Sequence, residues 1–288
     1  MAEIPASLVV KLRKMSGQGM MDCKKALEEA NGDSEAAMAI LRKKGLATLA
    51  KRAERETTQG LVVGRASADG KVAVLASLCC ETDFVANSDD FKSAAEKLAE
   101  YGMACGADEG IENLLETAVS GKKFRDVITE LVSKTGEKTE IGDYRKFRLS
   151  GPGLICTYIH FNMKVGTMLQ IETGDDKTAA SEELKRTGAD LAMHITATKP
   201  IALDKDAIDP KVIEQEKSIY ADQVRNKPAN IVDKIVEGKL KKFYEENCLL
   251  EQKFVKDDTK TTAQVLAEAA KATDGKALIK RYVRFDVG

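Results

Sequence analysis

The stretch GLVVGRASADGKVAVLASLCCETDFVANSDDFKSAAEKLA, residues 60–99, decides the fold. It opens with two runs rich in Val, Leu and Ala, at 61–67 and 71–80, on either side of a short turn, and this pattern is typical of a β-hairpin. Ser88 then stands where it can cap a helix, and apolar residues recur after it at helical spacing. The stretch therefore predicts a unit of strand, strand and helix.

A repeat of this unit lies 93 positions later, where residues 153–192 read GLICTYIHFNMKVGTMLQIETGDDKTAASEELKRTGADLA. The two copies align without a gap. The identical pairs are Gly60/Gly153, Leu61/Leu154, Lys71/Lys164, Val72/Val165, Asp83/Asp176, Ala86/Ala179, Ser88/Ser181, Lys92/Lys185, Leu98/Leu191 and Ala99/Ala192. A structural unit used twice predicts two related α+β subdomains.

Each copy needs a third strand, and the two copies acquire it differently. The first is completed by a strand predicted at 144–150, and the second by a strand predicted at 277–287. Between them, residues 206–253 have helical patterning, with Asp209 and Pro210 suited to cap and begin a helix. This segment is therefore predicted to be an inserted antiparallel coiled-coil hairpin, projecting roughly 30 Å at 1.5 Å of rise per residue.

The amino-terminal segment predicts a small three-helix bundle. Apolar residues recur at helical spacing on either side of the glycine-rich break 16–19, and a third helix is expected to end at Gly45. Residues 47–56 are charged helix formers and predict an exposed helical linker. The fold class is thus α+β, with these predicted units: 1–56, bundle and linker; 57–150, first core subdomain; 151–205 with 254–288, second core subdomain; 206–253, insertion.

The composition of the 288 residues restricts the function. With 45 basic and 46 acidic side chains the net charge is −1, whereas a dedicated nucleic-acid binder usually carries a basic excess. The six cysteines form no Cys-x-x-Cys pair, and neither His stands at zinc-site spacing, so no metal and no cofactor is predicted. The first residues lack the pattern of a signal peptide, and no run approaches the ~20 apolar residues that span a bilayer. We therefore expect a soluble, cytoplasmic protein with no membrane partner.

Catalytic motifs are not found in the sequence. It contains no phosphate-binding loop, no nucleophile elbow and no His-Glu-x-x-His, and it has only two histidines, His160 and His194. The carboxylate pair Asp89-Asp90 falls at a predicted helix start, where it complements the helix dipole. The sequence therefore does not favour an enzyme and names no catalytic residue.

Three groups of residues remain as candidates for a functional surface, each with a structural alternative. Phe84, in the turn that follows the second strand, either projects to a partner or packs under the turn, with Asp83 binding local amides. Met20 and Met21 form either bundle core or an adaptable contact surface. His194, near the end of the second-copy helix, is more often structural in such a place. The residues alone do not decide between these alternatives.

Three segments together resemble the elongation factor Ts family over essentially the whole chain. SGQGMMDCKKAL (16–27) is similar to the amino-terminal bundle of the family, TDFVA (82–86) to its central loop, and 231–254 to its coiled-coil insertion and return. A fourth segment, MHI (193–195), is also similar, with Thr196 where the family usually has a small Ala.

The resemblance implies a function and a set of site residues. It implies a ubiquitin-associated-like bundle and a guanine-nucleotide exchange factor for elongation factor Tu, bound to the partner in its GDP-bound and nucleotide-free forms, in a 1:1 or 2:2 complex. It assigns Mg²⁺ dislocation from the partner GTPase to Thr82, Asp83, Phe84 and Val85, and partner contacts to Leu12, Met20, Met21, Val165 and His194. Many relatives also continue into a carboxy-terminal helical module beyond the strand that matches 277–287.

A ribosome-associated or RNA-associated accessory protein is the alternative class. Its support is a basic stripe at Lys239, Lys241 and Lys242 of the predicted coiled coil, although such charge runs are usually solvated faces. Salt-dependent RNA binding would favour this class, and tight association with a purified GTPase would favour the exchange factor.

Overall fold

The structure, a computed structural model, describes residues 4–225 and 228–288. Residues 1–3 of the predicted bundle segment and Asn226 and Lys227 of the predicted insertion lie outside it. The described chain is a mixed α+β protein, as the sequence predicts.

The secondary structure follows the predicted order. The helices are α1 (Ala6–Ser16), α2 (Met20–Glu29), α3 (Ser34–Lys51), α4 (Asp83–Ala86), α5 (Asp89–Ala104), α6 (Ile111–Glu116), α7 (Phe124–Thr135), α8 (Asp176–Ala179), α9 (Glu182–Thr198), α10 (Pro210–Gln223), α11 (Ala229–Asn247) and α12 (Thr262–Lys271), with a 3-10 turn at Lys205–Ala207. The strands are β1 (Gln59–Ala66), β2 (Val72–Cys80), β3 (Ala118–Val119), β4 (Lys122–Lys123), β5 (Thr139–Arg148), β6 (Gly153–Ile159), β7 (Val165–Thr173), β8 (Lys253–Phe254), β9 (Asp257–Thr261) and β10 (Ala277–Asp286).

The two copies of the repeat form antiparallel sheets with the same topology and register. Their strand orders are β1-β2-β5 and β6-β7-β10. Gly60 pairs with Cys79 in the first sheet, and Gly153 pairs with Glu172 in the second. A Cβ at Gly60 would lie 2.1 Å from the carbonyl oxygen of the neighbouring strand, and one at Gly153 would lie 2.4 Å from its counterpart. The identical glycines therefore allow the same close strand approach in both copies.

The sheets lie back to back between layers of helices. Helices α5 and α7 cover one face of the first sheet, and α9 and α12 cover one face of the second. The remaining faces meet in a shared apolar layer that includes Val62, Leu75, Met168 and Phe285. Because β2 and β7 are buried on both faces, each reads as a nearly continuous apolar run.

The third strand of the first sheet begins earlier than the sequence predicts. It starts at Thr139, whereas 144–150 was expected, and it ends at Arg148. A bulge between the pairs Leu78/Ile141 and Ala76/Tyr144 interrupts the regular alternation of side chains. Because of this interruption, the first half of the strand lacks the regular alternation of side chains from which a strand is predicted.

Helices α1 to α3 pack around a small apolar core that contains Leu12, Cys23 and Leu27. The expectation that Gly45 ends α3 is wrong, because the helix continues to Lys51. A Cβ at Gly45 would lie 2.5 Å from the carbonyl oxygen of Thr129 on α7. At Gly45, α3 therefore lies in close contact with α7 of the first core subdomain. Only a short non-helical link follows the end of α3 at Lys51.

Helices α10 and α11 of the insertion pack on each other. At their base, Ile208 and Cys248 form a small apolar cluster with Phe243. The chain then returns to the second core subdomain, where Leu249 is fully buried. None of the helices described within 4–225 and 228–288 combines the length and the apolar character that a membrane span requires.

A matched pair of glycine substitutions tests the α3–α7 contact. Gly45→Ala should lower the free energy of unfolding by about 1–3 kcal/mol, because its methyl group must displace the α7 backbone. Gly238→Ala in α11, where nothing lies within 4 Å of the added carbon, should raise it by about 0.4–1 kcal/mol through helix propensity. Urea denaturation of both variants gives the two signs, and equal stabilisation would contradict the close approach.

Candidate partner-binding site

The turn after β2 presents Phe84 to solvent. Thr82 caps the four-residue helix α4, and its hydroxyl accepts a bond from the Val85 amide at 3.4 Å. Val85 packs against the first core and Ala86 is buried, whereas the side chain of Phe84 is 84% exposed. The interpretation that Phe84 packs under the turn is therefore wrong.

The turn is fixed by hydrogen bonds from several sides. The amide and hydroxyl of Thr82 donate to the two carboxylate oxygens of Glu137, at 3.1 and 2.8 Å. Asn87 donates to the Asp83 carbonyl at 2.9 Å, and Ser88 donates to the Val85 carbonyl at 2.7 Å. In the described part of the chain no amide donates to the Asp83 carboxylate, which is exposed beside Phe84.

Glu81, the residue before the turn, is also held by hydrogen bonds. Both oxygens of Glu81 accept bonds from Arg52, which follows α3, at 2.8 and 2.7 Å, and one of them also accepts a bond from the Lys138 amide. Burial alone would raise the pKa of the Glu81 carboxyl, but the bonds from Lys138 and Arg52 hold this pKa below its usual value. The end of the bundle is thus tied directly to the base of the turn.

Of the three predicted contacts in the bundle, two are exposed. Met20 and Met21 begin α2 and are 41% and 63% exposed, whereas Leu12 is fully buried in the bundle core. Leu12 therefore supports α2 from beneath in this structure, and its direct contact with a partner stays a prediction.

The loop before the methionine pair is connected to the start of α5 through Lys134. A Cβ at Gly17, in the loop before α2, would lie 2.5 Å from the Lys134 side chain. The ammonium of Lys134 in turn donates to Asp90, in the first turn of α5, at 2.9 Å. Because α4 immediately precedes α5, this contact connects the loop before α2 to the segment that follows the Phe84 turn.

His194 lies inside the second core subdomain. It is fully buried against Phe254, and its Nδ1 accepts a bond from the Val255 amide at 3.2 Å. Its Nε2 therefore carries the proton and donates to Gln252 at 2.9 Å. Burial lowers the pKa of His194 despite the bond to Gln252. A direct contact between His194 and a partner stays a prediction, because in this structure the ring joins α9 to the returning chain.

Val165 and its surroundings include an exposed residue that the sequence analysis did not single out. Val165 is half-buried at the start of β7, where it pairs with Asp286. In the turn before it, Phe161 is 88% exposed. Met163 of the same turn packs against the first core, and its carbonyl accepts a bond from the Val62 amide. An aromatic residue in a hairpin turn, where small residues are usual, is the signal that could have identified Phe161.

The described residues contain no group of three or more His, Cys, Asp or Glu side chains placed to hold a metal ion. All six cysteines are buried. Burial raises the pKa of Cys156 to about 12, and burial with the nearby charge of Glu137 raises that of Cys80 to about 12. These thiols are protonated at neutral pH and behave as small apolar side chains.

Comparison with known proteins gives one consistent family. A family model described as Elongation factor TS matches residues 81–288. The chain is 44% identical to elongation factor Ts of a Nitratiruptor species over 287 residues, which cover 99% of this chain and 93% of that protein. It is 41% identical to elongation factor Ts of Clostridium acetobutylicum over 288 residues (99% and 92%), and 36% identical to that of Chlorobium phaeobacteroides over 293 residues (100% of both). The similarity therefore includes the bundle as well as the two core subdomains.

Two phenylalanines of the same region should respond oppositely to truncation. Phe84→Ala should change the free energy of unfolding by less than ~0.5 kcal/mol, because the ring is exposed. Phe91→Ala should lower it by roughly 3–5 kcal/mol, because that ring is fully buried between α5 and the sheet. Thermal and urea denaturation of both variants measure the difference, and a strongly destabilised Phe84→Ala protein would show that the ring belongs to the core.

The stability of the protein should depend on the protonation of His194. The folded state holds the pKa of this ring below the value of 6.5 that it has when exposed, so on acidification the unfolded chain binds a proton that the folded chain resists. The stabilising contribution is therefore complete above the unfolded pKa and is lost as the pH falls below it. Unfolding free energies measured from about pH 7 to about pH 5 should fall less steeply for His194→Gln than for the wild type. An unchanged slope in His194→Gln would contradict this assignment.

Proposed function

The chain belongs to the elongation factor Ts family, and from that premise we propose that it is the guanine-nucleotide exchange factor of elongation factor Tu. Membership places it among the translation elongation factors of protein biosynthesis. The observation that supports exchange most directly is the 84% exposed Phe84 on a turn that is fixed by hydrogen bonds. This activity would be exercised in the cytoplasm, where translation takes place.

The proposed mechanism is mechanical. A P-loop GTPase holds GDP through a phosphate cradle and a bridging Mg²⁺, so a group that displaces the metal or the cradle weakens nucleotide binding. Thr82 fixes the turn, Val85 anchors it in the core, and Asp83 and Phe84 project toward the partner. Inserting a large aromatic ring beside a carboxylate would displace Mg²⁺ and open the nucleotide site. The factor itself makes and breaks no covalent bond, and so is not an enzyme in the chemical sense.

Exchange then follows from coupled binding. A factor that prefers the nucleotide-free GTPase to the GDP-bound form must itself be bound more weakly once nucleotide returns, by the same factor. The protein therefore accelerates release and uptake equally, and the cellular excess of GTP sets the direction. Both the GDP-bound and the nucleotide-free forms of elongation factor Tu are partners in this cycle, in a 1:1 or 2:2 complex.

The other units receive supporting roles. We assign α1 to α3 as a ubiquitin-associated-like bundle that adds affinity through Met20 and Met21, with Leu12 holding α2 from beneath. In the second core subdomain, Val165 lies at the surface, and His194 shapes that surface from inside. Helices α10 and α11 are assigned as an antiparallel coiled coil.

The alternative of a ribosome-associated or RNA-associated protein gains little from the lysines of α11. Lys241 and Lys242 pair with Glu245 and Glu246, at 3.8 and 3.7 Å, and Lys239 lies over the Tyr220 ring. Neighbouring acidic groups thus offset this stripe, so it offers phosphates little net charge. Direct nucleic-acid binding is accordingly not part of the proposal.

Release of a fluorescent GDP from elongation factor Tu tests the proposal. The protein should accelerate release catalytically, and the double variant Asp83→Ala/Phe84→Ala should lower the maximal rate about tenfold or more with unchanged stability. Met20→Ala/Met21→Ala should instead raise the concentration needed for half-maximal rate, because it removes contact area away from the wedge. Lack of acceleration by the folded wild-type protein, together with steeply salt-dependent RNA binding, would favour the alternative class.

A further inference from the structure

The second copy of the repeat contains the same turn as the first, but there the capping carboxylate belongs to the turn itself. Asp175 of this copy occupies the position of Thr82 and caps α8. Its carboxylate accepts bonds from the amide and the hydroxyl of Thr178, at 2.7 and 2.9 Å. The second turn therefore needs no carboxylate from elsewhere in the chain.

The position that corresponds to Glu137 has no room for a side chain in the second copy. Thr139 begins the third strand of the first sheet opposite Cys80, and Ala277 begins that of the second sheet opposite Thr173. Glu137 lies two residues before Thr139, and Gly275 lies two residues before Ala277, so the two positions correspond. A Cβ at Gly275 would lie 1.9 Å from the hydroxyl of Thr178. The turn and the third strand are in direct contact there, with nothing between them.

In the first copy a carboxylate occupies this place. Thr82 has a hydroxyl where Asp175 of the second copy has a carboxylate. The carboxylate acceptor comes instead from Glu137, to which both the amide and the hydroxyl of Thr82 donate. The Thr82 hydroxyl is therefore both a donor, to Glu137, and an acceptor, from the Val85 amide. Within the described residues Glu137 forms no ion pair, so its charge is met by these two donors, and such charge-assisted bonds are the stronger class.

Glu137 also connects the turn to a rigid support. Gly136, with a φ of 72°, ends α7, and the Glu137 amide that follows donates to Thr135 at 3.3 Å. Helix α7 is itself packed on the first sheet and against α3. The turn is therefore held in place from α7 by a long-range bond to a carboxylate. The second copy, with exposed Lys177 in the place of Phe84, instead uses the local Asp175 cap and a hydroxyl–hydroxyl bond between Thr178 and Thr273.

We propose that Glu137 is a positioning residue for nucleotide exchange, which fixes the direction in which the turn 82–85 projects Phe84. This proposal rests on the proposed function, because it supposes that Phe84 acts on the partner. An orienting bond matters there because a displacement of about 1 Å in a working group can cost about a hundredfold in rate. The Phe84 side chain is 84% exposed, so its direction follows the backbone of the turn, which the bond from the Thr82 amide to Glu137 holds.

The test measures fluorescent-GDP release from elongation factor Tu over a range of factor concentrations. Glu137→Ala should lower the maximal rate about tenfold, with the half-saturating concentration changed by less than about threefold, because Met20 and Met21 still bind. Glu137→Gln, which keeps one acceptor oxygen, should retain an intermediate rate. Glu116→Ala is the matched control, because this carboxylate on α6 also accepts two bonds, from Lys123 and Arg125, and neither donor bonds the turn 82–85. It should leave both parameters near wild type.

A double-mutant cycle separates positioning from an independent effect. Once Phe84→Ala has removed the ring, adding Glu137→Ala should lower the maximal rate no further, so the two losses should be strongly non-additive. Additive losses would overturn the proposal, as would a normal maximal rate in folded Glu137→Ala protein. Should Glu137→Ala not fold, Glu137→Gln provides the same cycle with a smaller loss, because its side-chain amide keeps one acceptor oxygen.

The outcomes distinguish this proposal from the one on which it rests. If Phe84→Ala is impaired and Glu137→Ala is normal, the wedge mechanism stands and the positioning role is wrong. If Phe84→Ala exchanges nucleotide at the wild-type rate, the wedge mechanism is wrong, and with it the role of Glu137.

Discussion

The packing of α7 is the interaction on which the functional part of the molecule depends. One side of this helix buries Phe124 and Leu131 beneath the first sheet, and each such side chain contributes about 1.5–3 kcal/mol through burial. The other side of α7 contacts α3 at Gly45, and the residue Glu137, just after the end of α7, bonds the turn. The positions of the bundle and of the turn with Phe84 therefore both depend on this helix.

The two copies of the repeat show how one structural unit can carry a candidate site in one place and a plain structural turn in the other. Register, glycine contacts and helix caps are shared, because they are requirements of the fold. The turns differ in the features that matter for a partner. Phe84 stands where the second copy has Lys177, and the long-range acceptor Glu137 stands where it has Gly275. The second copy lacks an apolar wedge, and its turn is held by the Asp175 cap and the Thr178–Thr273 hydroxyl bond, without a carboxylate from elsewhere in the chain.

The sequence predicts the elements of the fold well, because period, turn residues and the repeat are local signals. It fails where distance in the chain matters. Gly45 has the local signature of a helix end, and only its contact with α7 explains why the helix continues. Likewise, the family resemblance assigns partner contacts to Leu12 and His194 but does not reveal that both are buried. Glu137 carries no local signal at all, since its role arises from a bond across fifty-five positions.

The exposure of Phe84 has an energetic consequence that agrees with a binding role. Keeping a phenylalanine in water forgoes about 1.5–3 kcal/mol that burial would contribute, so a fold that fixes it outward loses stability unless the ring is buried elsewhere. A fixed turn also has little conformational entropy left to lose on association. Thr82, Val85 and Glu137 hold the backbone before the partner arrives. More of the free energy of burying Phe84 is then available to open the nucleotide site, which is the differential interaction that exchange requires.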